Sequence, residues 1–189
     1  MGRMVLGIVL ASIVMFFWGF LFWGINPYAY HAWRPVEDHE TAAAALLRQF
    51  SERGTYYVPE MIEDRELLES RFEAGPLAFV HMIDVDGRPM FDPTIMLQGF
   101  VLNTVVIMLI ALFLHQALPA LPTYGRRFGH AGLAGLAAVV FIDCGDAVWW
   151  QIPWDWKLMQ ASYDLSAWIV AAAVLSAFIR PTAGIAESD

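Results

Sequence analysis

The sequence predicts a mostly α-helical membrane protein: a four-transmembrane-helix bundle with a small α+β periplasmic domain inserted between helices 1 and 2. Three observations predict it. Hydrophobic residues make up 58% of the 189-residue chain and charged residues 16%, with a mean hydropathy of +0.51; soluble domains run near half apolar and a quarter charged. Four stretches approach the roughly 20 apolar residues needed to cross a bilayer, each closed by proline or charge. Between the first two, residues 26–94 turn polar and hold six arginines against thirteen acids.

The first span, 4–25, is longer than the 7–15-residue core of a signal peptide. Phe20, Phe22 and Trp23 stand where cleavage needs small residues, so it reads as an uncleaved signal anchor. Within 26–94, Val36, Ala43, Leu46, Leu47 and Phe50 recur at helical spacing over 36–52, with Gly54 as C-terminal cap. Residues 55–58 are rich in strand formers. A second helix over 60–73 places Met61, Leu68 and Phe72 on one face, has Glu60, Glu63 and Asp64 in its first turns, and stops at Gly75. A strand over 77–85 then turns at Asp86-Gly87 toward a short return strand at Met90 and Phe91. So short a segment buries a modest core, and it is expected to lie as a cap on the outer membrane surface.

The remaining elements follow in turn: span two over 95–118, a loop over 119–130, span three over 131–150, a Trp-rich turn over 151–161, span four over 162–180 with Asp164 as its N-cap, and a tail over 181–189. Arg3, Arg126, Arg127 and Arg180 all fall on one side of four crossings, which makes that side cytoplasmic and puts both termini there. Ten arginines to one lysine is a bias seen in GC-rich bacteria, so the spans are expected in a bacterial inner membrane with the acidic segment in the periplasm and Lys157 in the short outer turn. Arg126, Arg127 and Arg180 are expected to touch anionic lipid. All eight tryptophans map to the outer half. Trp149, Trp150, Trp154 and Trp156 form an interfacial aromatic turn, because indoles favour the headgroup level.

Chemistry-bearing residues concentrate in span three. Asp143, Cys144 and Asp146 interrupt an apolar helix, and an acid at such depth usually faces the bundle or water. Counting rise along the helices pairs Asn103 with Asp143 and Gln98 with Asp146, as two polar layers joining spans two and three. Interhelical hydrogen bonding, a protonatable or ion-binding site, and metal ligation all remain open for this cluster. Asp143 and Asp146 would share a face, with no basic partner in the membrane. Gly132 and Gly135 mark a close helix contact.

Other chemistry is not indicated. His115 lies alone near the end of span two, His130 sits beside basic residues, and His31, His39 and His81 lack ligand spacing. A single cysteine excludes a disulfide framework or a multi-cysteine metal site. No metal or cofactor is therefore expected. The net charge of −8 argues against nucleic acid. No phosphate loop, G-x-S-x-G, H-E-x-x-H or C-x-x-C motif is present.

Phe17-Trp18-Gly19, the run from Gly54 to Pro59 (a Gly-x-Tyr-x-x-Pro-like element), Asp86-Gly87 and Trp154-Asp155-Trp156 carry a resemblance over nearly the whole chain. It is similar to a group of bacterial four-span integral membrane proteins with a small periplasmic domain. That resemblance implies an architecture and assigns no activity. The expected function is a non-catalytic accessory or scaffold subunit, held among membrane lipids and docked on a larger membrane complex, respiratory, photosynthetic or secretory, or on copies of itself. A small proton or cation transporter or membrane enzyme using Asp143 and Asp146 is the alternative. A periplasmic ligand-binding envelope sensor is the third reading.

Overall fold

A computed structural model describes residues 2–181. The chain is 71% helical, with four helices long and apolar enough to cross a membrane and a small two-stranded sheet. It divides into two compact units, with boundaries after Arg34 and after Asp92.

The first unit holds the four long helices. Helix α1 (Gly2–Gly19) continues as a π-helical turn over Phe20–Ile25. Helix α4 (Pro93–Gln116) is followed by a short 3₁₀ turn at Leu118–Ala120. Helix α5 (Tyr124–Val139) passes through a π-helical segment, Val140–Cys144, into α6 (Gly145–Trp149). Helix α7 (Trp154–Phe178) completes the set.

Packing runs α4, α1, α7, α5. Helices α1 and α7 are antiparallel: Gly7 lies against Phe178 at one end, while Trp18 donates to Ser166 Oγ at 2.9 Å and Gly19 lies against the Tyr163 hydroxyl nearer the other. Helices α5 and α7 are antiparallel too, and meet where a Cβ on Gly135 would fall 2.6 Å from the Trp168 ring. Gly135 is thus the close contact expected; Gly132 has open space beside it. The apolar core lies toward one end, from Ala11 through Ile107, Ile110, Ala111 and Leu114 to Ala131, Ala171, Ala172 and Leu175. Alanine dominates because small side chains let helix backbones approach where lipid is as apolar as leucine.

Two boundaries differ from expectation. Helix α5 starts at Tyr124, where Thr123 caps it by accepting from the Arg126 amide, so Arg126 and Arg127 are helical. Helix α7 starts at Trp154, so most of the expected turn at 151–161 is helix. Asp164 is therefore no cap: it lies well inside α7, and Trp168 lies past the helix midpoint, away from the outer half. The true turn is short, and Gln151 takes a positive φ of 55° within it.

The second unit runs helix, strand, helix, strand: α2 (His39–Gln49), β1 (Gly54–Val58), α3 (Arg65–Ala74) and β2 (Ala78–Met82). The strands are antiparallel, with Tyr57 opposite Phe79 and Thr55 opposite His81. Their side chains meet, Tyr57 against Phe79 with ring centres 4.7 Å apart and Thr55 Oγ1 3.0 Å from His81 Nδ1. Asp38 caps α2 and Asp64 caps α3, each accepting backbone amides of the first turn. Gly75 takes the positive φ that ends α3.

Three expectations fail here. Gly54 opens β1, and α2 stops earlier, at Gln49. The second helix starts at Arg65, so Met61 precedes it and is 73% exposed, although it still gathers with Leu68 and Phe72 around one surface pocket. Asp86-Gly87 does turn, with Gly87 at φ 79°, but no return strand follows among the described residues. The Asp84 carboxylate binds the Asp86 and Gly87 amides and makes this a local side-chain turn, without a hairpin. No residue from Pro35 to Asp92 is fully buried.

Candidate functional site: a buried charge cluster between two helices

The π-helical segment carries Asp143, and the next turn carries Asp146. Both point at one group on α7, the Lys157 ammonium. Its Nζ lies 2.7 Å from Asp143 Oδ1 and 3.0 Å from Asp146 Oδ2. Lys157 is 5% exposed and Asp143 3%. A cation in the first turn of a helix opposes the helix dipole, and a lysine near a span end usually extends toward water. The two carboxylates outweigh both tendencies and hold it inside.

A fourth member comes from deeper in α7. Lys157 and Asp164 stand two turns apart on the same helix, and the Asp164 carboxyl comes within hydrogen-bonding reach of Asp143. The cluster thus holds one lysine paired with two acids, and a third acid against Asp143. Asp143 Oδ2 is buried and accepts no hydrogen bond, while the Asp146 side chain is 34% exposed and forms the wetter edge.

Sequence reasoning singled out Asp143 and Asp146 but paired them wrongly. Their partner is Lys157; no hydrogen bond joins Asn103 or Gln98 to either acid among the described residues. Helix α4 packs chiefly on α1, which carries Asn103, half-buried, and Gln98, exposed, away from the cluster. Cys144 is a half-buried free thiol beside Asp143 in sequence. Lys157 and Asp164 were missed, although Lys157, Gln160 and Asp164 recur at i, i+3 and i+7, a helical face.

A second buried cation lies toward the opposite end of the same helix pair. Arg127, expected at the lipid surface, is 4% exposed. Its Nη1 donates to the carbonyls of Leu121 and Pro122 at 3.1 and 2.8 Å, and its Nε to that of Ser176 at 3.1 Å. Those carbonyls belong to the loop before α5 and to the end of α7, where chain ends leave acceptors open. Arg126 and Arg180 are exposed.

The aromatic turn also divides. Trp149 is 82% exposed, and Trp150 and Trp154 are exposed as well. Trp156 turns inward, its ring centre 5.8 Å from Trp23 and 5.7 Å from Trp33. Trp23 also meets Tyr163 and Tyr30, so an aromatic cluster ties α1 to α7 above the acids. Arg34 closes it with a 2.9 Å ion pair to Asp155.

The fold and the site together define a four-helix, membrane-type protein whose buried lysine and arginine find their partners within the helix bundle. No protein-family model, curated protein or solved structure matches the chain.

Proposed function

We propose that this protein is a non-catalytic accessory subunit of a bacterial cytoplasmic membrane, with both termini cytoplasmic, whose acidic 35–92 unit docks in the periplasm on a larger membrane complex. The observation that carries this reading is the state of that unit. Small folded domains still close a core, yet from Pro35 to Asp92 no side chain is fully buried. Leu46, Leu47, Met61 and Leu77 are all exposed. A unit built this way is completed by a surface it does not itself supply. Its excess of acid over arginine favours a basic one.

The charge cluster weighs the same way. A transported cation would need the carboxylates of Asp143 and Asp146, and the Lys157 ammonium already stands between them.

The test is hydrogen exchange on residues 35–92 of the full-length protein, in native membranes and after purification in mild detergent, with sizing and mass spectrometry of what co-migrates. The proposal expects protection in membranes, loss of protection in the isolated chain, and a stoichiometric partner that cross-links to this unit. Equal exchange in both states, with the chain migrating alone, overturns it.

A further inference from the structure

We propose that Asp143 and Asp164 bind one proton between them, as a carboxyl–carboxylate pair inside the helix bundle that exchanges with water past Asp146 at the Trp149 end. This site is independent of the docking reading.

Charge matching leads to it. One lysine neutralises one acid, yet two acids pair with this lysine and a third, Asp164, adjoins Asp143. The Asp146 side chain is 34% exposed, at the rim of the cluster. Asp143 is buried, with Oδ1 on the ammonium and Oδ2 without a donor. A buried acceptor left without a donor is costly, the more so when it is charged. Two adjacent carboxyl groups do not readily both ionise. One proton on Asp164 turns the repulsion into a hydrogen bond to Asp143, because a carboxylic acid donates and a carboxylate does not.

No other group competes for the role. The π-helical segment and α6 offer Asp143, the Cys144 thiol and Asp146; α7 adds Lys157, the Tyr163 phenol beside Asp164, and Asp155, which is engaged by Arg34. The charged side chain of α1 is Arg3, at its far end, and the titratable one of α4 is His115, also at its far end. Asp164 lies about 15 Å along α7 from Trp154 at 1.5 Å per residue, near the middle of a span. Below it on α7 come Leu165, Ser166, Ala167 and Trp168. The Ser166 hydroxyl is engaged, accepting from Trp18 Nε1 and donating to the Tyr163 carbonyl. Among the described residues, the next fully buried polar side chains on this helix pair are Ser176 and Arg127. The proton therefore has an entrance at one end and no relay to the other: the site stores a proton and does not conduct it.

Infrared spectroscopy of the purified full-length protein in lipid nanodiscs, near neutral pH, reads this directly. The wild type is expected to show the C=O stretch of one protonated carboxyl, shifted in D₂O. Asp164→Asn should abolish that band while the protein still inserts, because the amide can donate to Asp143. Asp155→Asn, at the exposed Arg34 pair, should leave it intact. Absence of the band in the wild type overturns the proposal without any variant, and so does a band that survives Asp164→Asn. Should Asp164→Asn fail to accumulate, ¹³C-carboxyl aspartate spectra of the wild type decide. One protonated resonance near neutral pH supports the pair, and only ionised aspartates refute it.

Discussion

The two units of this chain treat polar and apolar groups in opposite ways. The helical unit buries Arg127, Lys157 and Asp143 and matches them with partners 2.7 to 3.1 Å away. The 35–92 unit buries no residue fully, although its strands, caps and turns are well formed. Membrane helices must match polar groups internally, since lipid offers no hydrogen bonds. A segment in water can leave its charges solvated, and its local structure then rests on caps and cross-strand pairs worth little each. Well-made secondary structure is thus no sign of a closed core.

The largest effect tests the helical side of this contrast. Lys157→Met should destabilise the protein by about 3–5 kcal/mol, because it strands a buried carboxylate, read as a drop in thermal midpoint in detergent. The double change Lys157→Met with Asp143→Leu should recover much of that loss. If Lys157→Met is neutral, the cluster is not a matched set. Arg127→Gln should follow at about 2 kcal/mol, through unmade carbonyl contacts. An unchanged midpoint with altered lipid dependence would instead return Arg127 to the lipid surface.

Next comes packing. Gly135→Ala should cost about 1–3 kcal/mol, since the new methyl meets the Trp168 ring. Gly132→Ala, with open space, should be neutral to slightly stabilising. Equal outcomes would mean that α5 and α7 do not meet as described.

The smallest effect lies in the 35–92 unit. The Thr41 hydroxyl, with the amides of Thr41 and Glu40, holds the Asp38 carboxyl below its ordinary value. A depressed acid contributes stability above its unfolded pKa and loses it as pH falls through the folded one. Protection of α2 amides should therefore be flat from neutral pH down to the ordinary carboxylate range and fall only below it. Asp38→Asn, also a good cap, should flatten that response.

Much of the fold was legible. The four spans declared themselves through length and apolar content, and the helix–strand–helix–strand order through periodicity and turn residues. The start of α7 did not, because Lys157, Gln160, Ser162 and Asp164 dilute its hydropathy until Leu165. The same residues explain the half-read site. Asp143 and Asp146 were conspicuous against an apolar background, whereas Lys157 sat in what looked like a turn and Asp164 in what looked like a helix cap. Counting rise gave depth but not neighbours, so Asn103 and Gln98 were matched by level to acids that α7 had already engaged. In the 35–92 unit, Asp-Gly argued for a hairpin, and a carboxylate two residues earlier, Asp84, settled the turn differently.

The π-helical segment at Val140–Cys144 has a consequence for descent. A π turn amounts to an α-helix with one residue inserted, and each added residue rotates everything beyond it by about 100°. Deleting one residue between Val140 and Cys144 should restore an ordinary helix and swing Asp146 and Trp149 off their present headings, leaving Lys157 with half its partners. An ancestral chain without that insertion would have had little use for a lysine at 157. The cation and the extra residue are therefore expected to have arrived, and to be lost, together.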